Sequence, residues 1–206
     1  MRMGEKEMQK IRLNKTELTK QKDSLKRHQR FLPMLQLKKK QLQLEHHRIL
    51  KEKAILKEKR NSTLKDLESW GAVIGEEAGI KELIRVIETK TRMGSVAGVR
   101  IPIFQEMNFQ QTPYDLFTQP PWVDTAIDVA KSLFELKEKL KITRDQLDLI
   151  LRDLRATSQR VNLFEKIKIP QTKNTIKRIR IYLGDQNTAA VVRGKIAKKK
   201  TKIQAR

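Results

Sequence analysis

The stretch LFELKEKLKITRDQLDLILRDLRATSQRVNLF (residues 133–164) decides the fold. Leu133, Leu140, Leu147, Leu154 and Val161 recur every seven residues, and Leu136, Thr143, Ile150, Thr157 and Phe164 follow each of them by three. Most of the residues in between are charged or amide-bearing. A repeat of seven with a second track three residues on keeps one narrow apolar seam on one side of an α-helix, and such a seam is buried only against another helix.

Working outward, Asp124 follows the Pro120-Pro121 stop and is expected to cap the start of this helix, with Asp128 adding negative charge to its first turns. Downstream, Pro170 is expected to interrupt the run. Ile176, Ile179 and Leu183 then restart a helical period as far as Gly184, and the basic tail after Asp185 is expected to fray.

A partner seam lies near the other end of the chain. Leu18, Leu25 and Leu32 are spaced by seven, and a second track continues through Leu35, Leu42, Ile49 and Leu56 among Lys, Gln, Arg and Glu. Asn14 with Glu17 three residues later has the form of an N-cap and capping-box partner, which starts this helix near Lys15. Pro33 removes a backbone donor inside it, so a kink is expected around residues 31–35. At about 1.5 Å per residue, residues 15–69 and 124–183 would form helices of roughly 80 and 90 Å. Matched lengths in one chain favour an antiparallel two-helix coiled coil with a small insert, an all-α fold. A parallel homodimer of single helices would leave the insert unexplained.

Charge divides the chain at the same places. Residues 1–69 carry 20 basic and 9 acidic side chains, residues 70–121 carry 5 and 6, and residues 122–206 carry 21 and 9, giving +11, −1 and +12, which sum to the +22 of the whole chain. The expected organisation is an N-terminal coiled-coil helix (1–69), an insert (70–121), and a C-terminal coiled-coil helix with a basic tail (122–206). The insert holds Gly71, Gly75, Gly79, Gly94 and Gly98 and four of the six prolines. Residues 83–89 and 99–104 alternate β-branched and polar side chains, which predicts a short β-hairpin turning over residues 92–98. Residues 105–121, with Tyr114 and Phe117 and followed by Trp122, have no period and are expected to form a loop packed back on the helices.

The composition excludes several classes. With no cysteine there is no disulfide, thiolate metal site or cysteine nucleophile. No run of eighteen apolar residues occurs, and MRMGEKEMQK lacks the apolar stretch of a signal peptide, so neither a membrane span nor secretion is expected. Neither GEEAGIKE (residues 75–82) nor GSVAG (residues 94–98) has the order of a phosphate-binding loop. Of His28, His46 and His47, the last two are adjacent and diverge by about 100° on a helix, which is unsuited to holding one ion. Glu52, Glu58, Asp145 and Asp148 are expected to pair with bases one helical turn away. No acid, base, nucleophile or metal ligand set emerges, so no catalytic residue, cofactor or metal is assigned. The runs Lys38-Lys39-Lys40 and Lys198-Lys199-Lys200 suit phosphates or an acidic protein surface. Few of the ten aromatics lie among them to stack on bases, which disfavours nucleic acid.

Three segments together resemble the D subunit family of the V-type (V/A-type) ATP synthase. They are LNKTELTKQKDSLKRHQRFLPMLQLKKKQLQLE (residues 13–45), RMGSVAGVRIPIF (residues 92–104) and RVNLFEKIKIPQTKNTIKRIRIYLGD (residues 160–185). The most specific element is the RVN-LE-IP pattern at Arg160, Val161, Asn162, Glu165, Ile169 and Pro170, with Phe164 where the family usually has leucine. The resemblance implies a non-catalytic central rotor axle. It would turn inside a hexamer of catalytic and regulatory A and B subunits, pair with the small F subunit of the stalk, and rest on the subunit capping the membrane ring. That implies a cytoplasmic location, peripheral to the inner membrane. Arg152, Arg155, Arg160, Arg193 and Lys195 are expected to face acidic surfaces of the hexamer bore, without direct nucleotide or nucleic-acid binding. A basic coiled-coil protein that binds RNA, or a scaffold of a secretion apparatus, would account for the charge and the helices. Neither would account for the RVN-LE-IP element.

Overall fold

The computed structural model describes residues 12–69, 83–113 and 122–204. In chain order these form helix α1 (Lys15–Ser69), strands β1 (Ile84–Val96) and β2 (Val99–Gln111), helix α2 (Val123–Asn162), a π-helical turn (Leu163–Lys168) and helix α3 (Ile169–Gln204). The fold is mainly α with one two-stranded antiparallel sheet. Gly71, Gly75, Gly79, Tyr114, Phe117, Pro120 and Pro121 lie outside the described residues.

The helix ends follow local chemistry. The backbone N–H of Glu17 donates to Asn14 Oδ1 at 2.7 Å, which satisfies one of the donors left free in the first turn of α1. One carboxylate oxygen of Glu17 accepts a hydrogen bond from Gln21 Nε2 at 2.8 Å. Helix α1 is not broken at Pro33: both Pro33 and Gln29, whose carbonyl loses its helical donor, are exposed to water. The start of α2 differs from the Asp124 cap expected above. The Ala126 N–H donates to the Trp122 carbonyl at 3.0 Å, so Trp122 occupies the cap position and Asp124 falls in the first turn, where its charge still suits the helix dipole. The tail also differs. Helix α3 continues through Gly184 and Gly194 to Gln204, because that stretch has no proline and is rich in Ala and Lys, whose helix preference outweighs the cost of two separated glycines.

The chain divides into two compact units, Met1–Leu37 with Ser158–Arg206, and Lys38–Thr157. In the second unit α1 and α2 run antiparallel. Lys38 Nζ lies 2.8 Å from Asp153 Oδ2, whereas Lys59 and Thr63, further along α1, border a cleft with Asp124 and Asp128 at the start of α2. Leu42, Ile49, Leu147 and Ile150 form the core there, joined by Ile101 from the sheet. In the first unit early α1 meets the π-helical turn and the first half of α3: the His28 ring lies 5.2 Å from Phe164, and Lys22 and Gln29 share a groove with Lys173 and Ile181.

The hairpin is longer, and its turn tighter, than alternation alone predicted. Val96 pairs with Val99, leaving Ala97 and Gly98 as a two-residue turn with φ of 50° and 79°. Two successive positive φ values define the turn whose twist matches a right-handed hairpin. The strands are offset by bulges at Ile87 in β1 and at Gln105 in β2, and each bulge breaks the period-two pattern close to where the sequence reading ended a strand. Residues 105–111, expected in a loop, therefore continue β2. Gly98→Val should lower stability by about 1–2 kcal/mol, since a β-branched residue resists positive φ. Urea unfolding of the full chain measures it.

Strand β2 lies along α2 in the opposite direction. Gln111 accepts a hydrogen bond from Lys131 Nζ at 3.1 Å, Phe104 holds Lys139 Nζ 4.7 Å from its ring centre, and the Pro102 carbonyl accepts from Gln146 Nε2. At the base of the hairpin Ile84 packs with Val123 and Ile127, with Trp122 and Phe109 against them. At its tip Val96, Ala97 and Val99 cover the Leu42–Ile150 core. The insert is thus a third layer on the second unit.

Candidate partner-binding surface

The residues expected in the seam are buried or half-buried. Leu42, Ile49, Leu136, Leu147, Ile150 and Val161 are buried, and Leu18, Leu25, Leu32, Leu35, Leu56, Leu133, Leu140, Leu154 and Phe164 are half-buried. Two threonines of the same register are buried as well, Thr143 and Thr157. The Thr143 hydroxyl donates to the Lys139 carbonyl one turn back at 2.7 Å, which is how a hydroxyl is tolerated in an apolar seam. Thr172 makes the same bond to the Lys168 carbonyl.

The RVN-LE-IP segment does not stop the helix. Residues 163–168 widen into a π-helical turn, and the Ile169 N–H reaches back to the Phe164 carbonyl. The cause is Pro170. Its ring would collide with the carbonyl four residues earlier, at Lys166, and it offers no donor; a wider turn moves that carbonyl aside and lets α3 begin at Ile169. The interruption expected at Pro170 is therefore a bulge rather than a break. Within the motif Val161 is buried, Ile169 is half-buried, and Arg160, Asn162, Glu165 and Pro170 are exposed.

Across from this turn, His28 sits edge-on to Phe164. Partial burial, then the charges of Lys168 and Arg27, hold its pKa below the ordinary value of 6.5. As pH falls, the unfolded chain takes up this proton before the folded one, so stability is lost through the ordinary histidine range and stops falling once the folded imidazole titrates. His28→Gln should reduce the drop in melting temperature between about pH 7.5 and about pH 5.5. Thermal melts at both pH values measure it.

The exterior is cationic. Arg152, Arg155, Arg160, Arg193 and Lys195 are all exposed, and none makes an ion pair among the described residues. The helical ion pairs do not involve the acids singled out from spacing. They join Arg48 to Glu45, Lys131 to Asp128, Lys139 to Glu135 and Lys141 to Glu138. Glu52, Glu58, Asp145 and Asp148 are in none of these: Glu58 has no Lys or Arg three or four residues away, and an exposed pair gains too little to hold the other three in one geometry. Asp145 still helps to raise the pKa of Lys141, behind the larger effect of its hydrogen bond to Glu138. Among the described residues no group of three His, Cys, Asp or Glu is placed to hold a metal ion, and no helix is long and apolar enough to cross a membrane.

Sequence reasoning missed the groove of Lys22, Lys26, Lys173, Lys177 and Arg180 in the first unit. Its cations lie on segments distant in sequence, and only the antiparallel pairing brings them together.

The sequence that forms these helices, the hairpin and the motif is similar to that of known proteins. The family of ATP synthase D subunits matches residues 17–199. The chain belongs to that family. It is 45% identical over 191 residues to the V-type ATP synthase D subunit of Borreliella burgdorferi, covering 93% of this chain and 95% of that protein. The D subunit of Chlamydia pneumoniae is 29% identical over 197 residues, covering 94% of each chain. That of Chlamydia trachomatis serovar L2 is 29% identical over 193 residues, covering 92% of this chain and 95% of that protein. As a member of this family, the chain is a stalk component of a rotary ATP synthase complex and is not itself catalytic.

Proposed function

We propose that this D subunit is the central rotor axle of its complex. It couples ATP synthesis or hydrolysis in a hexamer of A and B subunits mechanically to ion translocation through a membrane ring. Membership of the D subunit family along residues 17–199 carries this reading. The physical properties agree with it. Two helices joined by an apolar seam resist bending and twisting better than either alone, because any shear between them breaks packing along the seam. An exterior of exposed, unpaired cations can face successive acidic surfaces without locking onto one.

In this mechanism the axle has no symmetry of its own, so each orientation favours a different conformation at each catalytic interface. Hydrolysis, or ion flow, changes which orientation is lowest in energy, and rotation is a sequence of population shifts among discrete states. Arg152, Arg155, Arg160, Arg193 and Lys195 face the hexamer bore. The small F subunit and the ring-capping subunit complete the stalk, and the whole lies on the cytoplasmic side of the inner membrane.

The test is co-purification. Tagged protein drawn from cells that carry it should bring down a nucleotide-hydrolysing hexamer together with a small stalk subunit. Recovery of nucleic acid in their place would sink the axle reading.

A further inference from the structure

In the unit formed by Met1–Leu37 and Ser158–Arg206, α1 and α3 border a groove of about 540 Å³. Five side chains along it are cationic, namely Lys22, Lys26, Lys173, Lys177 and Arg180, and none of its lining residues is acidic. No ion pair among the described residues involves any of the five. The cleft in the other unit is composed differently. There Lys59 and Lys139 are balanced by Asp124, Asp128 and Glu135.

Unbalanced like charges around one groove repel each other, and nothing among its lining residues offsets that cost. The groove also has an apolar strip. Ile176 is buried at its base, Leu25 is half-buried, and Ile181 is 55% exposed beside the cations. An apolar centre within a charged rim is the composition of a protein interface. A bare polyanion would satisfy the rim and leave Ile181 wet. A single-stranded nucleic acid would stack on a ring, of which the groove's lining has none, and a duplex, held through its phosphates, would likewise leave Ile181 wet.

We infer that this groove receives an acidic segment of a partner protein, one with at least two carboxylates flanking a leucine- or phenylalanine-sized side chain that covers Ile181. The proposal rests on the axle reading for the identity of the presenting protein, a member of the surrounding A and B hexamer.

The experiment places a photo-crosslinking amino acid at position 181 of the full-length chain and reconstitutes it with purified A and B hexamer. The crosslinked peptide should contain two or more Asp or Glu within about one helical turn of the linked residue. In parallel, K173E/K177E/R180E should weaken hexamer binding by about tenfold or more and flatten its dependence on salt. Ile181→Ala, which leaves the charge unchanged, should weaken binding without changing the salt dependence. Far-UV circular dichroism melts show whether each variant is folded, and K173Q/K177Q replaces the triple variant if that one is not. A crosslinked peptide without acids, or unchanged affinity in the folded charge variants, overturns the groove proposal and leaves the axle reading standing. Failure of the unsubstituted chain to bind the hexamer overturns both. Inorganic polyphosphate bound by the unsubstituted chain, released by the charge variants and indifferent to Ile181→Ala, without a protein crosslink, would make the groove a polyanion site and overturn the protein-segment proposal.

Discussion

Leu147→Asn combined with Ile150→Asn is expected to leave ATP hydrolysis running in the reconstituted complex while ion transport falls to a small fraction of normal. Ile150 is fully buried and Leu147 is 5% exposed, and both contact the cluster that joins α1, α2 and the hairpin tip through Leu42, Ile49 and Ile101. Each substitution removes apolar contacts and puts an amide into a cluster of aliphatic side chains. Large-to-small changes at such sites cost about 2–5 kcal/mol, and an unsatisfied amide adds about 1–3 kcal/mol. The helices themselves survive, since asparagine lowers helix propensity by less than about 1 kcal/mol per residue. What is lost is resistance to shear between α1 and α2, and on the axle reading a shaft that yields there dissipates the strain that coupling requires. Ion uptake into vesicles, measured beside hydrolysis, gives the result. Preserved coupling in a complex whose isolated axle melts more than about ten degrees lower would show that stiffness of the seam is not what transmits torque.

This core also shows what was legible in the sequence. The seven-residue tracks were readable because a coiled-coil face repeats on a fixed period, and Asn14 was readable as a cap because its partner N–H lies three residues away. The hairpin was readable as a hairpin and misjudged in extent. Ile87 and Gln105 each insert one residue, so alternation changes phase inside strands that continue to pair. The π turn had a signal, Pro170, but a proline states only that the regular ladder must change and not whether it breaks or widens. The contacts of Gln146 with Pro102 and of Lys139 with Phe104 had no signal, because they depend on where β2 lies along α2. On the candidate surface, exposure of Arg152 and Arg155 followed from their heptad positions. The convergence of Lys22 and Lys26 with Lys173, Lys177 and Arg180 needed the antiparallel pairing of segments about 150 residues apart.

Replacing Arg152, Arg155 and Arg160 together by glutamate is expected to abolish stable assembly with the hexamer at physiological salt, a loss on the order of 100-fold in affinity. Each reversal changes the charge by two, so the chain goes from +22 to 22 − 6 = +16 and remains strongly basic. Net attraction to any large anion therefore persists, and the local pattern on α2 is what changes. All three side chains are exposed and none makes an ion pair among the described residues, so the fold should lose less than about 0.5 kcal/mol per site. The outcome separates two origins of the charge. If the bore presents acids opposite these arginines, the variant loses affinity most at low salt, and the curves for the two proteins converge as salt screens both. If the positive charge served only solubility, assembly of the variant would match the unsubstituted chain at every salt concentration. Sedimentation of the axle with purified A and B hexamer, repeated across salt, decides between them. On the axle reading, stepwise rotation favours the first origin: an axle held by several weak, exposed contacts can exchange them one at a time, whereas one buried ion pair of equal total strength would have to break at once.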